Sequence, residues 1–223
     1  MASVPLGDLS APPVGPMLLA AIRQNGSASH PYAASADLIG GPASARNLAD
    51  AIHFLCALHG RYPGGIALVA ARCVEQDARA WLAEASDAFA AERAYLAKLA
   101  VQAGPVPATP GAGSEAAVAM QRNAVLTLAQ SERRGCAVGA ALSLAGDWAA
   151  IRQVLDAAAQ RLSIDLPLPW TAGSPERIGE VAETLGEQPA LRRAMLFGAE
   201  QIAIQHRGMW DLLAARAAAR EPR

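Results

Sequence analysis

The chain has 223 residues, of which 52% are apolar and 17% charged, with a formal net charge of −1. Core-forming side chains are ample, which excludes disorder over most of the length. The near-neutral charge removes any bulk attraction to nucleic acid or to an anionic membrane, so neither is expected as a partner. Alanine fills 54 positions and aromatic residues only ten, so the core must be built from small side chains and closely spaced backbones.

In chain order, residues 1–13 are Pro-rich, carry Asp8 and lack a basic start. They read as a loose end and not as a secretory signal. A short helix is expected over Val14–Gln24, and Asn25–Gly41 reads as a loop rich in Gly, Ser and Pro. Residues 1–43 thus form an N-terminal segment with one short helix, and 44–219 a helical bundle domain.

Ser44 is placed to cap a helix over Ala45–His59, with Leu48, Ile52, Leu55 and Leu58 as its apolar stripe and Gly60 as its stop. After Pro63-Gly64-Gly65 the helical pattern runs from Ile66 to Ala103. At about 1.5 Å per residue that is about 57 Å, too long for one straight helix in this chain. A break is expected near Glu75–Asp77 or near Ser86–Asp87. Pro105–Gly113 reads as a loop.

Ser114 is placed to cap a helix reaching Ala145, stopped by Gly146, with Asp147 capping the next. That next helix carries Trp148, Ile151, Leu155, Ala158 and Leu162 inward, leaving Arg152, Gln153, Asp156 and Gln160 outside. Ser174-Pro175-Glu176 is a strong start signal for a short helix ending at Gly186. Pro189 opens the last helix, Ala190–Ala219. The expected architecture is all-α: a single-domain antiparallel bundle of about seven helices around a central Gly/Ala-rich buried helix.

Gly135 to Gly146 is a charge-free run of twelve residues, shorter than the about 20 a membrane span needs. Its Gly135-x-x-x-Gly139 pair suits tight helix packing. Cys56, Cys73 and Cys136 make no CxxC pair, which fits a reducing, cytoplasmic setting. No GxGxxG, GxxxxGK[ST] or GxSxG motif occurs, and no cofactor is expected.

The informative residues are polar groups that helical periodicity turns toward the core. Glu132 follows Leu128 by four and Val125 by seven, and an unpaired charge on that face is costly. Arg122, Arg133 and Arg134 are the nearest partners along the helix. Glu92 borders the stripe of Phe89 and Leu96, and His206 sits beside Ile202 and Met209. Glu92, Arg122, Glu132, Arg133, Arg134, His53 and His206 are therefore the candidate pocket residues. Asp50, His53, Glu92 and His206 are the weaker candidates for metal ligands; the reading is nevertheless of a metal-free protein, because Asp50-x-x-His53 only approximates the Glu-x-x-His pairs of a di-iron bundle. His59, next to Gly60, is explained by the negative end of its helix.

The stretches ERAYLAKLAVQAGP (92–105), TPGAGSEAAV (109–118) and SERRGCAVGAALSLAGDW (131–148) resemble an uncharacterised all-helical family, a domain of unknown function of alphaproteobacteria. The layout is also similar to ferritin-like and haem-oxygenase-like bundles. The family resemblance implies no assigned activity. Two functions compete: a non-catalytic helical protein, dimeric, acting through a partner or small ligand; and an enzyme or ligand- or metal-binding protein with a polar pocket in its core.

Overall fold

The computed structural model describes residues 12–109 and 113–220. Its elements are α1 (Val14–Asn25), a 3-10 turn (Ser27–Ser29), α2 (Ala36–Ile39), α3 (Ser44–His59), α4 (Gly65–Arg72), α5 (Gln76–Ala103), α6 (Gly113–Ala129), α7 (Cys136–Arg161), α8 (Pro175–Gly186) and α9 (Pro189–Ala218). The chain adopts the expected all-α, single-domain fold. Nine helices appear among the described residues where about seven were expected, because α2 lies within a stretch read as loop and α4 is the short first piece of the 66–103 stretch, which was expected to break but counted once. The expected loose N-terminus falls almost wholly outside the described residues, as does part of the 105–113 loop.

Local signals set many boundaries. Ser174 Oγ accepts the Arg177 N–H, Pro175 occupies the first turn, and α8 ends at Gly186 as expected. The long 66–103 stretch breaks at Cys73-Val74-Glu75, beside the first of the two expected places. α5 closes at Gly104, whose φ of 74° is one that glycine adopts without strain. Ser44 differs: it is the first residue of α3, and its Oγ donates to Gly41 O.

Two expected boundaries are overturned. The helix starting near Ser114 does not run to Ala145. It stops at Ala129, and the chain turns through Gln130–Arg134 to Gly135, which takes a left-handed conformation with φ 85°. The run of charges thereby reaches solvent instead of being wound into a buried helix. A continuous helix would have buried at least one of four successive polar residues, since they sweep about 300°. Gly146 then fails to stop α7, which continues to Arg161, so Asp147 lies inside the helix and caps nothing.

Consecutive long helices alternate in direction, so α5, α7 and α9 run parallel. Glu92 and Tyr95 of α5 meet Trp148 and Leu155 of α7 in the same order. Along α7 and α9, a Cβ at Gly135 would lie 2.9 Å from Leu191 O, and one at Gly139 only 1.9 Å from Met195 O. Reciprocally, a Cβ at Gly198 would lie 2.1 Å from Cys136 O. The small-residue seam is thus Gly139 against Gly198 on the neighbouring helix. Gly135 is outside the helix. Between Cys136 and Ala145 every residue except Ala137 is buried, so the segment is the spine of the core. Val14, Leu18, Ile22 and Leu38 belong to the same core. No helix among the described residues is long and apolar enough to cross a membrane.

Candidate functional site

α7 carries two polar faces into this core. Asp147 points toward α9, while Trp148, Arg152 and Asp156, spaced four apart, share the face toward α5.

Asp147, 1% exposed, is an acid in mid-helix, and three donors satisfy it. The Ser27 N–H donates to Oδ1 at 2.8 Å and Ser27 Oγ to Oδ2 at 2.6 Å. His206 Nδ1 lies 2.6 Å from Oδ2 and, facing a carboxylate, is the donor. His206 Nε2 in turn faces His59 Nε2 at 3.0 Å, so one ring donates a proton to the other. His59 packs edge-on to Phe89 and Trp148. Burial holds its pKa well below the usual histidine range, with repulsion from His206 adding to the effect, so His59 is the neutral ring. Gly26 is required beside this array, because a Cβ there would stand 2.3 Å from Asp147 Oδ1.

The second network is centred on Glu92. Its Oε1 accepts from Arg152 Nη1 at 2.6 Å and its Oε2 from Trp148 Nε1 at 2.9 Å. Arg152 also pairs with Asp156 at 2.7 Å and donates to Pro167 O at 3.0 Å. Tyr95 OH donates to Asp156 at 3.0 Å, and its ring lies under the guanidinium. Desolvation raises the Glu92 pKa, with Trp148 and Arg152 opposing the rise. Arg152, read as outward from its sequence position, is buried, because α5 and the 162–174 connection cover that face.

A third cluster joins chain segments. Asp50 Oδ1 pairs with Arg216 at 3.1 Å and Oδ2 with Arg220 at 2.5 Å. Arg216 also donates to Ser114 Oγ and to Pro107 O, so Ser114 serves as an acceptor inside α6. Nearby Tyr32 is pushed up to about 12, by burial first and then by Asp50.

The sequence-derived candidates are therefore dispersed. His206 lies in the first network, Glu92 in the second and Asp50 in the third. His53 is half-buried, with Nε2 2.8 Å from Gly104 O. Among the described residues no group of three or more His, Cys, Asp or Glu is placed to hold a metal ion. Arg122 is half-buried on α6. Glu132, Arg133 and Arg134 are exposed in the turn before α7 and make no core pocket floor, because the helix that would have buried them ends at Ala129. They do line a surface cavity of about 210 Å³ with Arg72, Cys73 and Glu75.

Ser27, His59, Asp147 and Arg152 escaped the sequence reading as core polar groups. One signal was available for Asp147. The apolar run resumes immediately after it, in Trp148-Ala149-Ala150-Ile151, so a single helix through Gly146 puts it inside. His59 was assigned to a helix end, which is correct, but that end is packed under α9.

A larger cavity, about 340 Å³, opens between α1, the 27–39 segment and α7. Ser27 and Asp147 line it, Arg23 and Gln153 add polar groups, and the remaining walls are alanines, Gly146, Ile22, Ile39 and Val154.

Fold and site together define an all-α protein with an α7-centred core, buried polar arrays and a small-walled cavity beside one of them. The chain belongs to a family of unknown function, DUF6975, whose model matches residues 22–221. No curated protein and no solved structure matches it.

Proposed function

We propose that this protein binds a small, largely apolar ligand in the cavity between α1, the 27–39 segment and α7, and does so without chemical turnover. The carrying observation is the cavity itself: about 340 Å³ of space with small aliphatic walls and two exposed polar side chains, Arg23 and Gln153, at its edge. Apolar walls with a few convergent polar groups are the usual form of a small-molecule site. Asp147 and Ser27 lie behind this wall, bonded to each other and to His206, and fix its shape. The reading includes a reducing, cytoplasmic setting, supported by the free thiols of Cys56, Cys73 and Cys136, and self-association as a homodimer.

The test is native mass spectrometry of the purified chain, followed by thermal-shift screening of small amphiphiles. A retained or stabilising molecule is expected, and Ala150→Trp, which fills the cavity from α7, should abolish the effect. No bound molecule and no stabilisation, or stabilisation unchanged by Ala150→Trp, overturns the proposal.

The Asp147–His206 contact favours a second reading, an enzyme using that pair for proton transfer. It ranks second because His206 Nε2 is engaged by His59, and Ser27 bonds the aspartate instead of a histidine.

A further inference from the structure

We propose a second binding site, for a phosphate group, in the cavity lined by Arg72, Arg133 and Arg134. It is separate from the cavity over Asp147. The three arginines come from the end of α4 and from the turn before α7, are exposed, and line about 210 Å³ of concave space. Arg134 is held by Glu75, a 7%-exposed carboxylate whose Oε1 accepts from its Nε at 3.4 Å. Cys73 Sγ donates to the other oxygen of Glu75 at 3.5 Å. Glu75 is thus a positioning residue that orients one arginine from behind. Glu132 is the other carboxylate of the lining. Among the described residues neither Arg72 nor Arg133 has a carboxylate within ion-pair distance, and Arg133 lies over the Phe197 ring.

The backbone adds to these cations. Ala137 and Val138 line the cavity in the first turn of α7, where helix N–H groups have no intrahelical acceptor, and α7 has no side-chain cap. Because α5, α7 and α9 run parallel, all three begin at this end of the molecule, while α4 and α6 end there, so the backbone contribution comes from the free N–H groups at the start of α7 and not from a summed dipole. A tetrahedral dianion has enough acceptor oxygens for forked guanidinium groups and backbone N–H donors at once, whereas a carboxylate has fewer.

The experiment is calorimetric titration of the full chain with inorganic phosphate at about 0.15 M ionic strength, where diffuse charge attraction is screened beyond about 8 Å. Saturable one-site binding is expected. Arg72→Ala and Arg133→Ala should each weaken it about tenfold or more, as the loss of a charge-assisted hydrogen bond does. Glu75→Gln should weaken it less. Arg193→Ala is the control: Arg193 lines the adjoining hollow with Arg133 and Arg134 but not this cavity. Circular dichroism confirms that each variant is folded. Absence of saturable binding overturns the proposal, as does unchanged binding in Arg72→Ala. An equal loss in Arg193→Ala would mean a diffuse positive surface and overturns it too. Ala150→Trp should leave phosphate binding intact, so failure of the apolar site and failure of this one are distinguishable.

Discussion

The two polar faces of α7 solve the problem of buried charge differently. On the α5 side, Glu92, Arg152 and Asp156 form a network with a permanent cation and several spare acceptors, including Pro167 O. On the α9 side, a single carboxylate, Asp147, is the acceptor for Ser27 twice and for His206, and the chain of contacts ends in a neutral His59. The first face has redundancy. The second depends on one residue.

That contrast orders the expected effects of change. Asp147→Ala should be the most damaging, at the upper end of the about 3–5 kcal/mol typical of breaking a buried pair, because it strands three buried donors. Glu92→Ala should cost less, since Arg152 keeps Asp156 and Pro167 O. Chemical denaturation of both variants decides the matter; equal losses would mean that the redundancy has no energetic weight.

The seam that presses α9 onto the Asp147 face comes next. Gly139→Ala places a methyl group 1.9 Å from a carbonyl oxygen, so helix backbones must part. A loss near or above the upper end of the about 1–3 kcal/mol range for overpacking is expected. A melting temperature within a degree or so of the parent chain would refute the close contact.

Mild acid should separate the two faces by sign. His59 has a depressed folded pKa, so the unfolded chain binds more protons below the normal histidine value of about 6.5. The contribution from His59 is therefore complete above that pH and declines as pH falls through the window below it. Glu92 has a raised folded pKa, so its contribution is greatest below the normal glutamate value and is lost as pH rises through the folded value. Stability measured against pH in His59→Phe should show a flatter fall below about 6.5. Glu92→Gln should remove the opposing trend. If His59→Phe retains the parent slope, the His59–His206 contact is not the pH-sensitive element.

The smallest effect is expected at Glu132. Placed on a helix it would have been a buried charge, but it stands in the turn after Ala129 and is exposed. Glu132→Ala should change stability by no more than the about 0–1 kcal/mol of a surface group. A loss of several kcal/mol in urea would show that the charged turn is covered in solution.

Helix identity and many boundaries were legible in the sequence because their causes are local. Ser174-Pro175 starts a helix by satisfying its own first turn, and Gly104 ends one by a backbone conformation that glycine adopts without strain. The buried positions of Glu92 and His206 were also legible, since helical periodicity placed both beside apolar stripes. Their partners were not. Asp147 contacts residues 120 positions before and 59 after it, and no periodicity within one helix encodes which neighbour covers which face. The same gap accounts for Arg152, whose outward phase is correct for an isolated amphipathic helix but wrong once α5 and the 162–174 connection lie over it. Glu132 failed in the opposite direction, because α6 ends at Ala129 and with it the phase of Val125 and Leu128 from which its burial was reckoned. Local chemistry decided where the helices of this chain form; only their mutual packing decided which of its charges are inside and what they touch.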